Sequence, residues 1–398
     1  MNQRAFPLTS QLSLIVAVSF GNAVAHLCTS ALPFQIGALI DGYRLSATEA
    51  GLVGFFQVGA LAVSMMLFAP AAHRFRPTLV CLGGMAIAAI ANLLLSSVPP
   101  MVPLLCALAT TSGIGYGLVL TAAVSAAAGS PRPDQIYAAG NSGALLLIVA
   151  MLSLLPWAAG RLGPHGTFIA IPLLILFSAP AVLGFRAHRA ADTQSDGPAV
   201  GLVRGVPLFA VWALFSFGTG AMWAFAERTG RAIGLPGETI GLVLSTSAFA
   251  GLIGSGLAAV IGGRINRTLV LGCGLIGGGI TCLTFSAATD LTLYAAAALL
   301  YWVFTMFVYV LLLGTAAELD PSGRLGTLGT GCERMAFAIS APLGGVLVDL
   351  GSPLWVGVGA AVACAVVAPL FLPALGRMLT RSDIPEPTTS APAATVAP

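Results

Sequence analysis

Polar residues are gathered into short clusters that cut this chain into apolar runs of about twenty residues or more. The runs cover 11–37, 46–71, 77–97, 101–128, 134–159, 166–185, 206–229, 238–262, 268–288, 291–317, 324–348 and 353–375. The breaks carry turn residues, as in Asp41-Gly42-Tyr43-Arg44, Pro99-Pro100 and Asp349-Leu350-Gly351-Ser352-Pro353. A helix needs about 20 residues to cross the ~30 Å hydrocarbon layer. The runs are long and do not alternate, which selects helices over a barrel. The pattern predicts an all-α membrane protein with twelve transmembrane helices. Ala23-Val24-Ala25 mimics a leader cleavage site, but the apolar run continues to Ile36 and reads as the first span.

The pattern is written twice. Residues 49–84 lie over 239–274 without a gap, with 11 identities in 36 positions. Gly51-Leu52-Val53 falls on Gly241-Leu242-Val243, Arg74 on Arg264, and Thr78-Leu79-Val80 on Thr268-Leu269-Val270. An offset of 190 in 398 residues predicts two six-helix bundles related by a pseudo-two-fold axis, a common plan for transporters. The bundles are expected at 11–185 and 206–376. A ten-residue N-terminus (1–10), a cytoplasmic linker (186–205) and a disordered cytoplasmic tail (377–398) complete the layout.

Composition agrees. Apolar residues make up 57% of the chain and charged residues 8%, against about 25% in soluble domains. Every one of the 17 basic residues is Arg, and the net charge of +3 is too small and dispersed for nucleic acid. Cys28, Cys81, Cys106, Cys273, Cys282, Cys332 and Cys364 sit in apolar runs without metal-ligand spacing, so no cofactor is expected. With the N-terminus inside, twelve Arg fall in cytoplasmic segments and four in outer ones, a split that predicts both termini in the cytoplasm of a bacterial inner membrane.

Each half carries a basic turn after its second helix. The first reads Ala69-Pro70-Ala71-Ala72-His73-Arg74-Phe75-Arg76-Pro77, the second Gly262-Gly263-Arg264-Ile265-Asn266-Arg267. Twelve spans in two parallel copies with these turns resemble the major facilitator superfamily, whose signature in this loop is G-x-x-x-D-R-x-G-R-R. His73 stands at the Asp position, and Asn266 stands where Gly is usual and would tolerate a left-handed turn. The resemblance implies gating loops built on His73, Arg74, Arg76, Arg264, Asn266 and Arg267. Their acidic partners would be Asp134, Glu318 and Asp320, near Arg324. A plain cytoplasmic anchor is the simpler reading of the same Arg residues. In helix 4, Ala109 and Ser112 replace the Arg and Gln of drug/proton antiporters of this superfamily, which counts against a multidrug role. Ser112-Gly113-Ile114-Gly115-Tyr116-Gly117 does keep the family's glycine spacing.

Ionisable residues inside hydrocarbon are costly and mark pathways. Glu333 lies nine residues past Arg324, roughly 14 Å deep, with Arg334 beside it. Their repeat mates are Gly143 and Ala144, so these charges belong to one half only. His26, with Asn22 one turn before it, lies mid-way along the first span. Trp223 in the seventh span and Tyr301, Thr305 and Tyr309 in the tenth form polar-aromatic stripes that suit a ligand wall, although such stripes also serve plain packing. Gln57, Tyr116 and Asn141 are weaker pathway candidates. Glu227, Arg228 and Arg231 read as a solvated outer rim.

The expectation is a secondary transporter that moves a small organic solute by alternating access. It is proton-coupled through Glu333 or His26, and an amphipathic or carboxylate-bearing solute is favoured. No GxxxxGK[ST] is present, so ATP is not expected to drive it. The rivals are a drug or metabolite efflux antiporter and a non-transporting membrane sensor on the same fold. No enzymatic constellation is found. The expected partners are the lipid bilayer and the solute, with no nucleic acid, and the chain is expected to be a monomer.

Overall fold

The computed structural model describes residues 8–130, 133–187, 205–261, 265–320 and 324–382. Among the described residues all regular structure is helical. The first half contains α1 (Leu8–Ser30), α2 (Leu32–Tyr43), α3 (Ala47–Phe68), α4 (Pro77–Leu95), α5 (Val102–Ala128), α6 (Pro133–Leu162) and α7 (Gly166–Ser178), with a 3-10 turn at Ala181–Ala187. The second contains α8 (Val206–Ala224), α9 (Ala226–Ala232), α10 (Gly237–Ser247), α11 (Ala250–Ile261), α12 (Arg267–Ser286), α13 (Leu291–Leu319), α14 (Arg324–Asp349), α15 (Pro353–Ala361) and α16 (Leu372–Ser382). Pairs such as α1–α2, α8–α9 and α10–α11 run end to end, so these helices form twelve membrane-crossing rods.

Among the described residues, ten stretches are long and apolar enough to cross a bilayer on their own. The other two rods differ for separate reasons. The sixth is only 13 residues of α-helix before its 3-10 extension. The eleventh, α14, is 26 residues long but carries Glu333 and Arg334 in its middle.

The repeat is visible in helix starts. Adding 190 to Ala47 gives the position of Gly237, and adding 190 to Pro77 gives that of Arg267; both are first residues of helices. Val102 and Pro133 map to within one residue of the starts of α13 and α14. Both described ends of the chain, Leu8 and Ser382, lie on one side, here the terminal face; the opposite side is the distal face.

Small residues set the spacing of the halves. A methyl group on Gly51 would stand 2.4 Å from the Ala341 carbonyl of α14, and one on Gly345 would stand 2.4 Å from that of Ala47. Helix packing in lipid depends on such close approach, because there the hydrophobic effect does not drive one apolar helix onto another. Gly241 packs likewise on Pro156 of α6, where Ser153 also bonds Ser245 at 3.0 Å. These contacts join the halves between mid-membrane and the distal face.

Candidate functional site

The mid-membrane site grows from α14. Glu333 and Arg334 are successive residues with side chains 11% and 15% exposed, and Arg334 Nε lies 3.2 Å from Glu333 Oε2. The two groups are close but poorly aligned, so neither atom completes a hydrogen bond among the described residues. Arg334 instead extends to the other half, where its Nη1 and Nη2 reach 3.5 Å from Thr29 Oγ1 and His26 Nε2 on α1. His26 is oriented through Nδ1, 2.8 Å from the Asn22 carbonyl. Ala25, His26, Thr29, Leu61, Leu120 and Arg334 close around a narrow gap with no room for a solute in this conformation.

A second contact between the halves follows from a proline. In a continuous helix the Thr29 carbonyl would accept the N–H of residue 33, but Pro33 has none. Trp223 of α8 donates to that carbonyl instead, with Nε1 at 3.1 Å. Trp223 is 2% exposed, stacks on Tyr301 at 5.3 Å with 8° between planes, and meets Trp302 edge-on at 5.3 Å. Trp302 Nε1 is buried without a hydrogen-bond partner among the described residues. Thr305 lies one turn beyond Tyr301, and Tyr309 packs edge-on against Trp212 at 5.8 Å. Tyr309 and Tyr137 are both within electrostatic reach of Arg334.

The other polar candidates have different surroundings. Gln57 donates to Ser112 at 3.1 Å, and Asn92 links Ser112 and Tyr116 at 2.9 and 3.2 Å. Gln57, Asn92, Ser112 and Tyr116 are all buried within the first bundle, and their mutual bonds account for them as internal glue. Asn141 accepts from Asn22 at 2.8 Å and fixes α6 against α1, but its own residue stays exposed. Asn92, which ties this network together, gives no signal in the sequence beyond being a lone amide in an apolar run.

A family sequence model, the Major Facilitator Superfamily, matches residues 18–331. The chain belongs to the Major Facilitator Superfamily. It is a membrane transporter and not an enzyme. No curated protein matches it in sequence. Among solved structures it is similar to the peptide transporter POT, with TM-score 0.73, 14% identity and coverage of 95% of this chain and 97% of that one. It is also similar to the nucleoside transporter NupG, with TM-score 0.66, 14% identity and coverage of 94% and 100%. A bacterial homologue of the human lysosomal transporter Spinster, in an inward-facing and unoccupied conformation, aligns with TM-score 0.68, 13% identity and coverage of 96% and 100%. At these identities the likeness is one of fold.

The structure describes part of the transporter's expected gate on the terminal face, including the pairing of Arg267 with one of its expected acidic partners, Glu318. Arg264 lies outside the described residues, as do the side chains of His73, Asp134 and Arg324. Arg74 and Arg76 are exposed at the end of the 3-10 turn Ala69–Arg74 and just beyond it. Arg267 pairs with Glu318, so this bridge ties α12 to α13 inside the second half. Asp320 accepts the Leu325 amide at 3.0 Å, and this fixes the start of α14. Asn266 does not take a left-handed turn: at φ −50° and ψ 113° it caps α12, with its side chain accepting from Thr268 and Leu269. Its amide oxygen matters there more than its tolerance of positive φ. Among the described residues, the non-glycine residue that does adopt positive φ is Arg44, at 55°, ending α2.

The expected outer rim needs correction too. Glu227 is buried, 5% exposed, because the backbone of α2 covers it where Gly37 leaves room. Arg228 crosses to the other half, with Nη2 at 2.6 Å from Asp41 Oδ1 and 3.0 Å from the Gly37 carbonyl. Sequence alone shows Glu227-Arg228 as a polar helix end, and nothing local announces an acid 187 residues away.

Proposed function

We propose that the chain moves a small, carboxylate-bearing organic solute by alternating access, coupled to protons. The observation that carries this reading is Arg334. It is a guanidinium at mid-membrane that reaches from the second half to Thr29 and His26 of the first, and its Nε is left without an aligned acceptor. Arg presents a planar fork suited to carboxylate, and a buried one marks a pathway. Glu333 beside it supplies the competing anion. With a proton on Glu333, Arg334 is free for the solute; without the proton, Glu333 and the solute contend for the same cation. His26, whose second ring nitrogen faces Arg334, is the other candidate proton carrier. The Trp223, Tyr301 and Trp302 cluster supports an apolar wall for the solute body.

In this reading the terminal face is cytoplasmic in a bacterial inner membrane, as the twelve-to-four Arg split favours. The expected linker 186–205 and tail 377–398 fall largely outside the described residues. The halves are joined distally, and the opposite state requires those contacts to part.

Proteoliposomes under an imposed pH gradient provide the test, screened with small carboxylates and their amide analogues. Gradient-driven accumulation of a carboxylate is expected, abolished in Arg334→Ala and independent of the gradient in Glu333→Gln or His26→Ala. Accumulation that survives Arg334→Ala, or a preference for the amides, would overturn the reading.

A further inference from the structure

One face of α6 records how the gap between the halves changes with depth. Tyr137, Asn141, Ile148 and Leu152 share that face, at helical spacings of four and seven. Ile148 and Leu152 are buried, and four residues further on Pro156 packs on Gly241 of the other half. At the near end Asn141 is exposed although it bonds Asn22 of α1, and Tyr137 is 36% exposed. The distal part of this face is covered by the other half, so its exposed part looks into the gap between the halves and not into lipid. The halves therefore diverge toward the terminal face, and Tyr137 stands in the mouth of the vestibule they leave.

Arg334 lies at the floor of this vestibule, its side chain still 15% exposed. α6 and α14 both start on the terminal face. Tyr137 is four residues into α6, about 6 Å deep, and Arg334 is ten residues into α14, about 15 Å deep. The two side chains are within electrostatic reach of each other across the halves. The Tyr137 hydroxyl has no hydrogen-bond partner among the described residues. Its polar neighbours are already engaged, Asn141 by Asn22 and Tyr309 by Trp212 in its own half. A neutral donor and a guanidinium thus face each other over a gap, one from each half. A carboxylate has two oxygens and about four acceptor sites. The fork of Arg334 takes some of these from one side and leaves others for a second donor.

We propose that Tyr137 is the first half's contact with the solute, its hydroxyl donating to the carboxylate that Arg334 holds. Bound in this way, the anion bridges the halves and draws the vestibule closed on the terminal side. Selection follows from the same geometry: a carboxylate answers both donors, whereas an amide offers them one uncharged oxygen. This role for Tyr137 rests on the carboxylate reading of Arg334 and adds the residue that meets the anion from the opposite half.

The test uses the purified full-length protein, titrated calorimetrically with acetate, benzoate and succinate. Saturable binding of at least one of them is expected, lost in Arg334→Ala. Tyr137→Phe keeps the ring and removes the donor. It should weaken that binding about tenfold, the effect of one hydrogen bond to a charged group, and leave the ligand-free melting temperature unchanged. In a background lacking Cys273 and Cys332, spin labels on cysteines at Gln135 and Ala317, exposed at the terminal ends of α6 and α13, should approach when the bound carboxylate is added. In Tyr137→Phe they should stay apart even at saturation. Binding that is lost in Arg334→Ala but unchanged in Tyr137→Phe would overturn the role of Tyr137 and leave the central site standing. Labels that close alike with and without the hydroxyl would overturn the bridging. No saturable binding of any of the three carboxylates by the wild type would overturn the central reading, and the role of Tyr137 with it.

Discussion

Asp349, the last residue of α14, caps the first turn of α3 in the opposite half. Its carboxylate accepts from the Ala47 amide at 3.0 Å, the Thr48 amide at 2.9 Å and the Thr48 hydroxyl at 2.5 Å. Ser46 and Glu49 form a capping box that satisfies the next amide from within α3. The first two orphan amides are therefore answered only when the halves meet. Removing a cap costs about 1 kcal/mol, within a range of roughly 0.5–2. Asp349→Ala should thus shift the balance toward the distally open state about fivefold, with Asp349→Asn intermediate. Accessibility of a cysteine at Ser245, buried where α10 meets α6, to a membrane-impermeant reagent reads the shift.

The same contact has a defined pH dependence. Burial would raise the Asp349 carboxyl, but the bonds from Thr48 and Ala47 outweigh it and hold it below the usual carboxylate range. A depressed value means that the cap is fully present at neutral pH. It is lost only as pH falls through that lowered value, below ~3.9. Distal accessibility should be flat from pH 8 to pH 5 on account of this residue, and Asp349→Asn should not alter that plateau's slope.

Gly51 sets how closely the halves approach. A side chain there meets the Ala341 carbonyl, and overpacking costs about 1–3 kcal/mol. Gly51→Val is expected to favour the distally open state by roughly five- to 150-fold, measured by spin-label distances. Closure unchanged from the wild type would show that α3 and α14 slide past the clash.

Trp223→Phe keeps a ring against Tyr301 and removes the donor to Thr29. The expected loss is about 0.5–1.5 kcal/mol of distally closed state. Trp223→Ala also removes the stack and should lower thermal stability in detergent further.

Arg267→Gln gives a contrasting control. The bridge to Glu318 is partly exposed and lies within one half, so it is worth about 0.2–1 kcal/mol to stability. Distal accessibility should not change, whereas a true inter-half gate at this position would change it.

The rods and the two-bundle plan are legible in the sequence because lipid imposes them residue by residue. Breaks within rods are less legible: α8 yields to α9 at Phe225, in a stretch with no Pro or Gly at the break itself. The placement of Glu333 and Arg334 at mid-membrane follows from counting along α14. Their encounter with His26 and Thr29, some 305 residues earlier, does not, because helix rotation decides it. Gln57 and Tyr116 illustrate the same limit, since a buried polar residue reads alike whether it faces a pathway or a neighbouring helix. The burial of Glu227 depends on a glycine in the other half, and no window on its own segment contains that fact.

Pro33 has one more effect. When the halves part, Trp223 leaves, and the Thr29 carbonyl has no amide in its own helix to return to. A backbone oxygen then stands bare in the lumen and must be met by water or by the passenger itself. Replacing side chains along α1 one at a time would never remove this acceptor. Only Pro33→Ala, which restores the missing amide, would retire it, so under the alternating-access reading the main chain as well as the side chains lines the passage.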